Sequence, residues 1–257
     1  MSRLALSFRF HRWLMASAAG VAVCAAAFMV RAYAQANVDS KPTQAALVDA
    51  FKHVEAASVS DAIEQLLHQK RYMSHNMRPI FPTRFVGTAL TVKLVKQENT
   101  TSADLNGMLE AIDKGGPGSV YVMQLEDGAD IAGMGGLMGT AMASRGFAGA
   151  VIGGGVRDLP QLTRIGFPVY AQGIVPSTAV GHYRFVAMNV PIVCDGVDVS
   201  PRDIIVADPD GVVVVPNDKA AEILALAQKL DNTEHSTYPL IERLHSIVEA
   251  VKQFGRI

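Results

Sequence analysis

Between Asn37 and Gln69 the apolar residues recur at three- and four-residue steps: Leu47, Phe51 and Val54, then Val59, Ala62, Ile63 and Leu66. Side chains at that spacing share one face, so the pattern predicts two amphipathic helices. Ser58 and Ser60 stand where N-caps of the second helix are expected. The pattern then changes to segments rich in branched residues, predicted as strands: Phe85–Val95, Ser119–Leu125, Ala148–Gly154, Phe167–Ile174, Val190–Val199 and Asp203–Pro216. Helical patterns at Ala103–Lys114, Leu137–Ser144 and Leu159–Ile165 separate several of these strands. Strand and helix therefore alternate through the middle of the chain, and its last third begins with consecutive strands. Asp218–Leu230 and Tyr238–Phe254 read as amphipathic helices that pack on the core or on a neighbouring subunit. A single α/β domain is the architecture this order predicts.

The first 34 residues stand apart. Arg3, Arg9 and Arg12 precede the apolar run Trp13–Val30, and Ala32-Tyr33-Ala34 offers a small-residue cleavage site. This reads as a secretory signal peptide cut after Ala34, leaving residues 35–257 as the mature chain in the periplasm or outside the cell. The alternative is an uncleaved anchor, since the apolar run approaches spanning length. Cleavage removes four of the 23 basic residues and none of the 24 acidic ones. The resulting acidic balance argues against a nucleic-acid partner, which would need clustered Lys and Arg. Cys24 leaves with the leader, so Cys194 stays as the single cysteine and no intramolecular disulfide can form. In the apolar run PIVC it reads as inert core.

The 49% hydrophobic content of the 257 residues implies a packed core. The chemistry concentrates where an apolar run ends in GGGVRD, Gly153–Asp158. Glycines bring a ligand close to backbone, and the helix that follows offers free N–H groups to an anion. Arg157 supplies a fork suited to a carboxylate, and Asp158 a hard oxygen suited to Mg²⁺ or Mn²⁺. Asp158 reads equally as an N-cap of the next helix, with Gln161 at the third helical position. Upstream, GMGGLMG (Gly133–Gly139) is either an anion nest formed by the N–H groups of Gly136, Leu137 and Met138 or a tight turn into a helix; no clear strand runs into it. The histidines lack metal-ligand spacing, and Asp208 and Asp210 read as a turn between strands.

Gly146–Gly173, with VSDAI (Val59–Ile63), MRPI (Met77–Ile80), VGTALTV (Val86–Val92) and the long run Pro191–Pro216, resembles the signature of the RraA-like family. That family includes divalent-metal-dependent 4-hydroxy-4-methyl-2-oxoglutarate aldolases, oxaloacetate decarboxylases and non-catalytic regulators of RNA degradation. The resemblance implies a layered β/β/α fold of swivelling-domain type with C-terminal helices, strongest over 59–216. It also implies a homotrimer or a hexamer of two trimers. In the aldolase branch Asp158 would hold the metal, largely through water, and Arg157 would contact the 2-oxo acid and its developing enolate. Gly135, Gly136, Leu137 and Met138 would bind the substrate carboxylate. At the family's spacing a second carboxylate would fall at position 136, where this chain has Gly136. The expectation is an exported metal-dependent lyase acting on a small 2-oxo acid. Its alternative is a non-catalytic carboxylate-binding protein that kept the fold.

Overall fold

The computed structural model describes residues 42–128 and 130–254; the leader and Cys24 lie outside them. From Thr43 onward the chain forms one compact unit. Two helices open it, α1 (Gln44–Phe51) and α2 (Ala56–Leu67), followed by β1 (Arg78–Pro79) and the long β2 (Phe85–Lys96). Next come α3 (Asn106–Lys114), β3 (Ser119–Gln124), β4 (Ala132–Met134), α4 (Gly136–Ser144), β5 (Gly149–Val156), α5 (Leu159–Ile165) and β6 (Val169–Ile174). After β7 (Tyr183–Met188) two hairpins follow, β8 (Ile192–Cys194) with β9 (Val197–Val199), and β10 (Ile204–Asp208) with β11 (Gly211–Val215). The described chain ends in α6 (Ala220–Leu244) and α7 (Ile247–Phe254). Among the described residues no helix is long and apolar enough to cross a membrane.

Main-sheet order is β1-β6-β5-β3-β2-β10-β11, with β4 beside the end of β5 and β7 beside the second half of β2. Strands β2, β3, β5 and β6 are mutually parallel, joined by crossovers that carry α3, α4 and α5. The segment before β1 joins the two sheet edges. Met73 N donates to Val212 O and Val214 N to Arg71 O, while Arg78 and Pro79 pair with Ala171 and Tyr170. The sheet is therefore nearly closed on itself. Its interior is filled by alternate residues, Val120 and Val122 of β3, Ile205 and Ala207 of β10, Val212 and Val214 of β11, and by Ile192, Cys194, Val197 and Val199 from the β8–β9 hairpin. The intervening residues face outward. Tyr121 and Met123 pack with residues of α3, α4 and α5, whereas Val206, Val213 and Val215 pack with α1, α2 and α6. Cys194 is fully buried and its thiol is pushed up to about 12 by that burial, so it is inert packing.

Several boundaries differ from the sequence reading. Ser58 and Ser60 lie inside α2, whose N-cap is Glu55 without a side-chain cap. The capping carboxylate comes from far along the chain: Asp208 Oδ2 accepts from Ala56 N at 2.8 Å, while its Oδ1 closes the β10–β11 turn by accepting from Asp210 N. Val190–Val199 is not one strand but a hairpin around Asp195 and Gly196, both at positive φ. The C-terminal helix does not break between Leu230 and Tyr238. It runs on through Pro239 and ends at His245, in the left-handed region, because Asn232–Ser236 are mostly solvated side chains on a continuing helix. Strands β1, β4 and β7 carry no sequence signal strong enough to have been predicted.

Candidate functional site

The two glycine clusters divide their roles. Gly153, Gly154 and Gly155 are buried inside β5, not in a loop leaving it. A Cβ on Gly153 would lie 2.1 Å from Gln124 Oε1, one on Gly154 2.6 Å from Leu125 Cδ1, and one on Gly155 2.4 Å from Val175 Cγ2. Gln124 cannot retreat, since its amide accepts from Asp195 N and donates to Leu125 O and Gly153 O. These glycines make room for protein, which corrects the expectation that they admit a ligand to the backbone. The second cluster serves the site, and a strand does run into it. Strand β4 pairs in parallel with the end of β5, and Gly135 becomes the N-cap of α4. A Cβ on Gly135 would stand 2.7 Å from Asp158 Oδ2 and 3.2 Å from Arg157 Nε; on Gly136 it would stand 2.9 Å from Gln161 Cγ and 3.2 Å from Asp158 Cβ.

Around those two bare positions the structure gathers Arg157 and Asp158. Arg157 N donates to Met134 O at 3.0 Å, tying the end of β5 to β4. Its guanidinium donates to Ser177 O at 2.9 Å, and Ser177 Oγ is itself held between Ala132 N and Asp130 O. Asp158 follows at φ 60° and ψ 38°, a left-handed conformation that Asp tolerates better than most residues. It occupies the N-cap position of α5, yet makes no side-chain cap there. The turn instead sends its carboxylate across to the neighbouring helix, where Oδ2 accepts from Gly136 N at 2.8 Å. A negative group at the positive end of α4 is favourable. Arg157 Nε lies 3.9 Å from the same oxygen, and both side chains are about half exposed (44% and 51%), so the pair itself adds little stability.

One of the four orphan donors of α4 is thus taken by the protein's own carboxylate, while the next N–H groups, on Leu137 and Met138, have no intrahelical acceptor. Leu137 projects its side chain into solvent at 90% exposure, whereas Met138 turns its side chain into the core and offers only backbone. Gly136, Leu137, Thr140, Asp158, Pro160 and Gln161 line an open depression of about 390 Å³. All the residues named from sequence, Gly135, Gly136, Leu137, Met138, Arg157 and Asp158, therefore meet in one corner. The histidines do not: His182 pairs with Glu98, and His235 with Asp231 and Glu55. Glu234 also lies apart from that corner, accepting from Tyr238 in a groove between α2, α6 and α7. Gln161, Thr140 and Ser177 were not singled out as site residues. Gln161, one turn beyond Asp158, is the one that helical spacing could have placed beside it.

Among the described residues no three His, Cys, Asp or Glu side chains come together as a metal cluster. The fit to a divalent cation rests on Asp158 alone, with Oδ1 left over once Oδ2 has accepted from Gly136. That donor set suits a hard cation that keeps most of its water, as Mg²⁺ commonly does, and does not suit a fully protein-ligated ion.

A family model described as RraA-like, Aldolase/RraA, matches residues 56–214. A protein of Halalkalibacterium halodurans that carries the provisional name 4-hydroxy-4-methyl-2-oxoglutarate aldolase is 28% identical over 184 residues, covering 70% of this chain and 80% of its own. A solved structure of an uncharacterized protein from Pseudomonas syringae pv. tomato superposes with a TM-score of 0.74 at 29% identity, covering 83% of this chain and 96% of its own. An unusual member of the RNase ES inhibitor RraA protein family from Streptomyces coelicolor superposes at 0.67 with 26% identity, over 79% of this chain and 98% of that one.

Proposed function

The chain belongs to the RraA-like, Aldolase/RraA family, and on that premise we propose that it is a carbon–carbon lyase for small 2-oxo acids. Its reaction would be retro-aldol cleavage of 4-hydroxy-4-methyl-2-oxoglutarate-like substrates, oxaloacetate decarboxylation, or both. The observation that carries this reading is the gathering of a guanidinium, a carboxylate and free helix N–H groups around Gly135 and Gly136. In the cleavage, the bond between C3 and C4 breaks and its electron pair delocalises onto the 2-oxo oxygen as an enolate. Arg157, braced by Ser177, donates to that oxygen as charge develops. The N–H groups of Leu137 and Met138 hold the adjacent carboxylate. The C4 hydroxyl releases its proton as the second ketone forms, and C3 of the enolate regains one. Asp158 would hold Mg²⁺ or Mn²⁺ through Oδ1 and water, and the cation would supply positive charge beside the enolate oxygen. Assembly as a homotrimer or hexamer is part of this proposal, supported by the exposed Ile247, Val248 and Phe254 on α7. Export, to the periplasm or out of the cell, is also part of it and rests on the leader sequence.

A second reading, a non-catalytic carboxylate-binding protein, is favoured by one observation: position 136 carries no carboxylate, and Gln161 fills the space where a side chain would start. Loss of a group that orders a metal's water shell weakens binding or activity by roughly 10 to 100-fold. Pyruvate release from 4-hydroxy-4-methyl-2-oxoglutarate and from oxaloacetate, with Mg²⁺ or Mn²⁺ and with EDTA, separates the two readings. The lyase gives metal-dependent turnover that Asp158→Ala removes. No turnover above the metal-only background on either substrate sinks it and leaves the binder.

A further inference from the structure

Gln161 spans the gap between α4 and α5. Its Nε2 donates to Thr140 Oγ1 at 2.9 Å, and that hydroxyl donates to Gly136 O at 2.7 Å. Its Oε1 accepts twice from Arg164, from Nε at 3.0 Å and from a terminal nitrogen at 2.9 Å. The side chain therefore lines the depression with one end of its amide directed to Thr140 and the other holding the guanidinium of the exposed Arg164. Of the five N–H donors of an arginine two are used here, which leaves three. The ion pairs among the described residues do not include Arg164, so its charge stays unneutralised.

We propose that Arg164, positioned by Gln161, is a second anion-recognition point of this site and sets a preference for 2-oxo acids that carry a second carboxylate. The inference rests on the lyase reading, in which Arg157 and the start of α4 take the 2-oxo acid end. Arg157 precedes α5 and Arg164 lies in its last turn, so the two side chains start from opposite ends of that helix, and on this proposal they meet different carboxylates of a diacid. An amide is the side chain this task needs. Its oxygen holds the fork of Arg164 without cancelling the charge, and holding the fork in advance lowers the ordering cost when a ligand arrives. A glutamate at 161 would neutralise the guanidinium, and an alanine would release it. Bare Gly136 belongs to the same arrangement, because Gln161 could not lie there beside a larger residue.

The test is calorimetric binding of two stable probes, 2-oxoglutarate and pyruvate, to the purified protein with Mg²⁺ present. Wild type is expected to bind the diacid about tenfold more tightly than the monoacid. Arg164→Ala should erase that advantage and leave pyruvate affinity unchanged. Gln161→Glu, nearly the same shape, should also lower the diacid-to-monoacid ratio, which separates positioning from a general loss of fold. An unchanged ratio in both variants overturns the proposal while the lyase reading stands, provided Arg157→Ala weakens both acids. Failure of folded wild type to bind either acid overturns both.

Discussion

Gly153–Gly155 and Gly135–Gly136 look alike in the sequence, each a run of glycines just ahead of a helix. The first run is enclosed on every side by protein, with Gln124, Leu125 and Val175 pressed against the backbone. The second is bordered by the side chains of Arg157, Asp158 and Gln161, on the edge of an open depression. Both are bare because something else needs the space, but in one case that something is the core and in the other it is chemistry. Glycine in a motif therefore reports a close approach without naming the approaching group; the neighbours across the sheet do that.

The comparison makes unequal demands on substitution. Asp158→Ala should produce the largest effect, a loss of at least about 100-fold in pyruvate release, since it removes the carboxylate that would hold the cation. The same change removes a helix cap at a half-exposed position and leaves alanine in the left-handed turn, together about 2 kcal/mol of stability, so the melting temperature should fall by only a few degrees. Gly153→Ala should invert that pattern. Its methyl meets an amide oxygen pinned by the Gln124 network, and chemical denaturation should show a loss of about 2–3 kcal/mol with the turnover of the remaining folded protein intact.

Where the sequence was readable, the reason was local. Branched runs such as Phe85–Val95 and the helical spacing of Leu159–Ile165 specify their own elements, and both appear close to where the pattern puts them. Arg157 and Asp158 were legible because their chemistry is unusual beside an apolar strand. What escaped was set at a distance. The cap of α2 is Asp208, about 150 residues from the helix it caps, and no nearby serine could reveal it. Strand β4 is three residues long and exists through its pairing with β5. The target of the Asp158 carboxylate depends on a left-handed turn that throws the side chain toward α4, away from the helix it precedes in sequence.

Smaller perturbations sharpen the contrast further. Gly136→Ala should shift Gln161 and cost about 1 kcal/mol, seen as a modest drop in melting temperature, while weakening the diacid more than the monoacid. The smallest effect is expected at the core: Cys194 should stay unmodified by a thiol reagent at pH 8 until denaturant is added, because its thiol is buried and protonated.

The strap formed by Arg71–Pro79 carries a kinetic consequence. It fastens one sheet edge to β11 through contacts such as Tyr72 with Val213, about 140 residues away along the chain. A chain that emerges N-terminus first cannot make that closure until β11 is out, long after the parallel strands. Until then the β2 edge of the sheet, which β10 and β11 extend, stays open to solvent and to other chains. The interval between synthesis of β6 and of β11 is accordingly the period in which this protein is most exposed to misassembly or to capture by a chaperone, and its folding rate is bounded by loop closure rather than by the stability of any single strand.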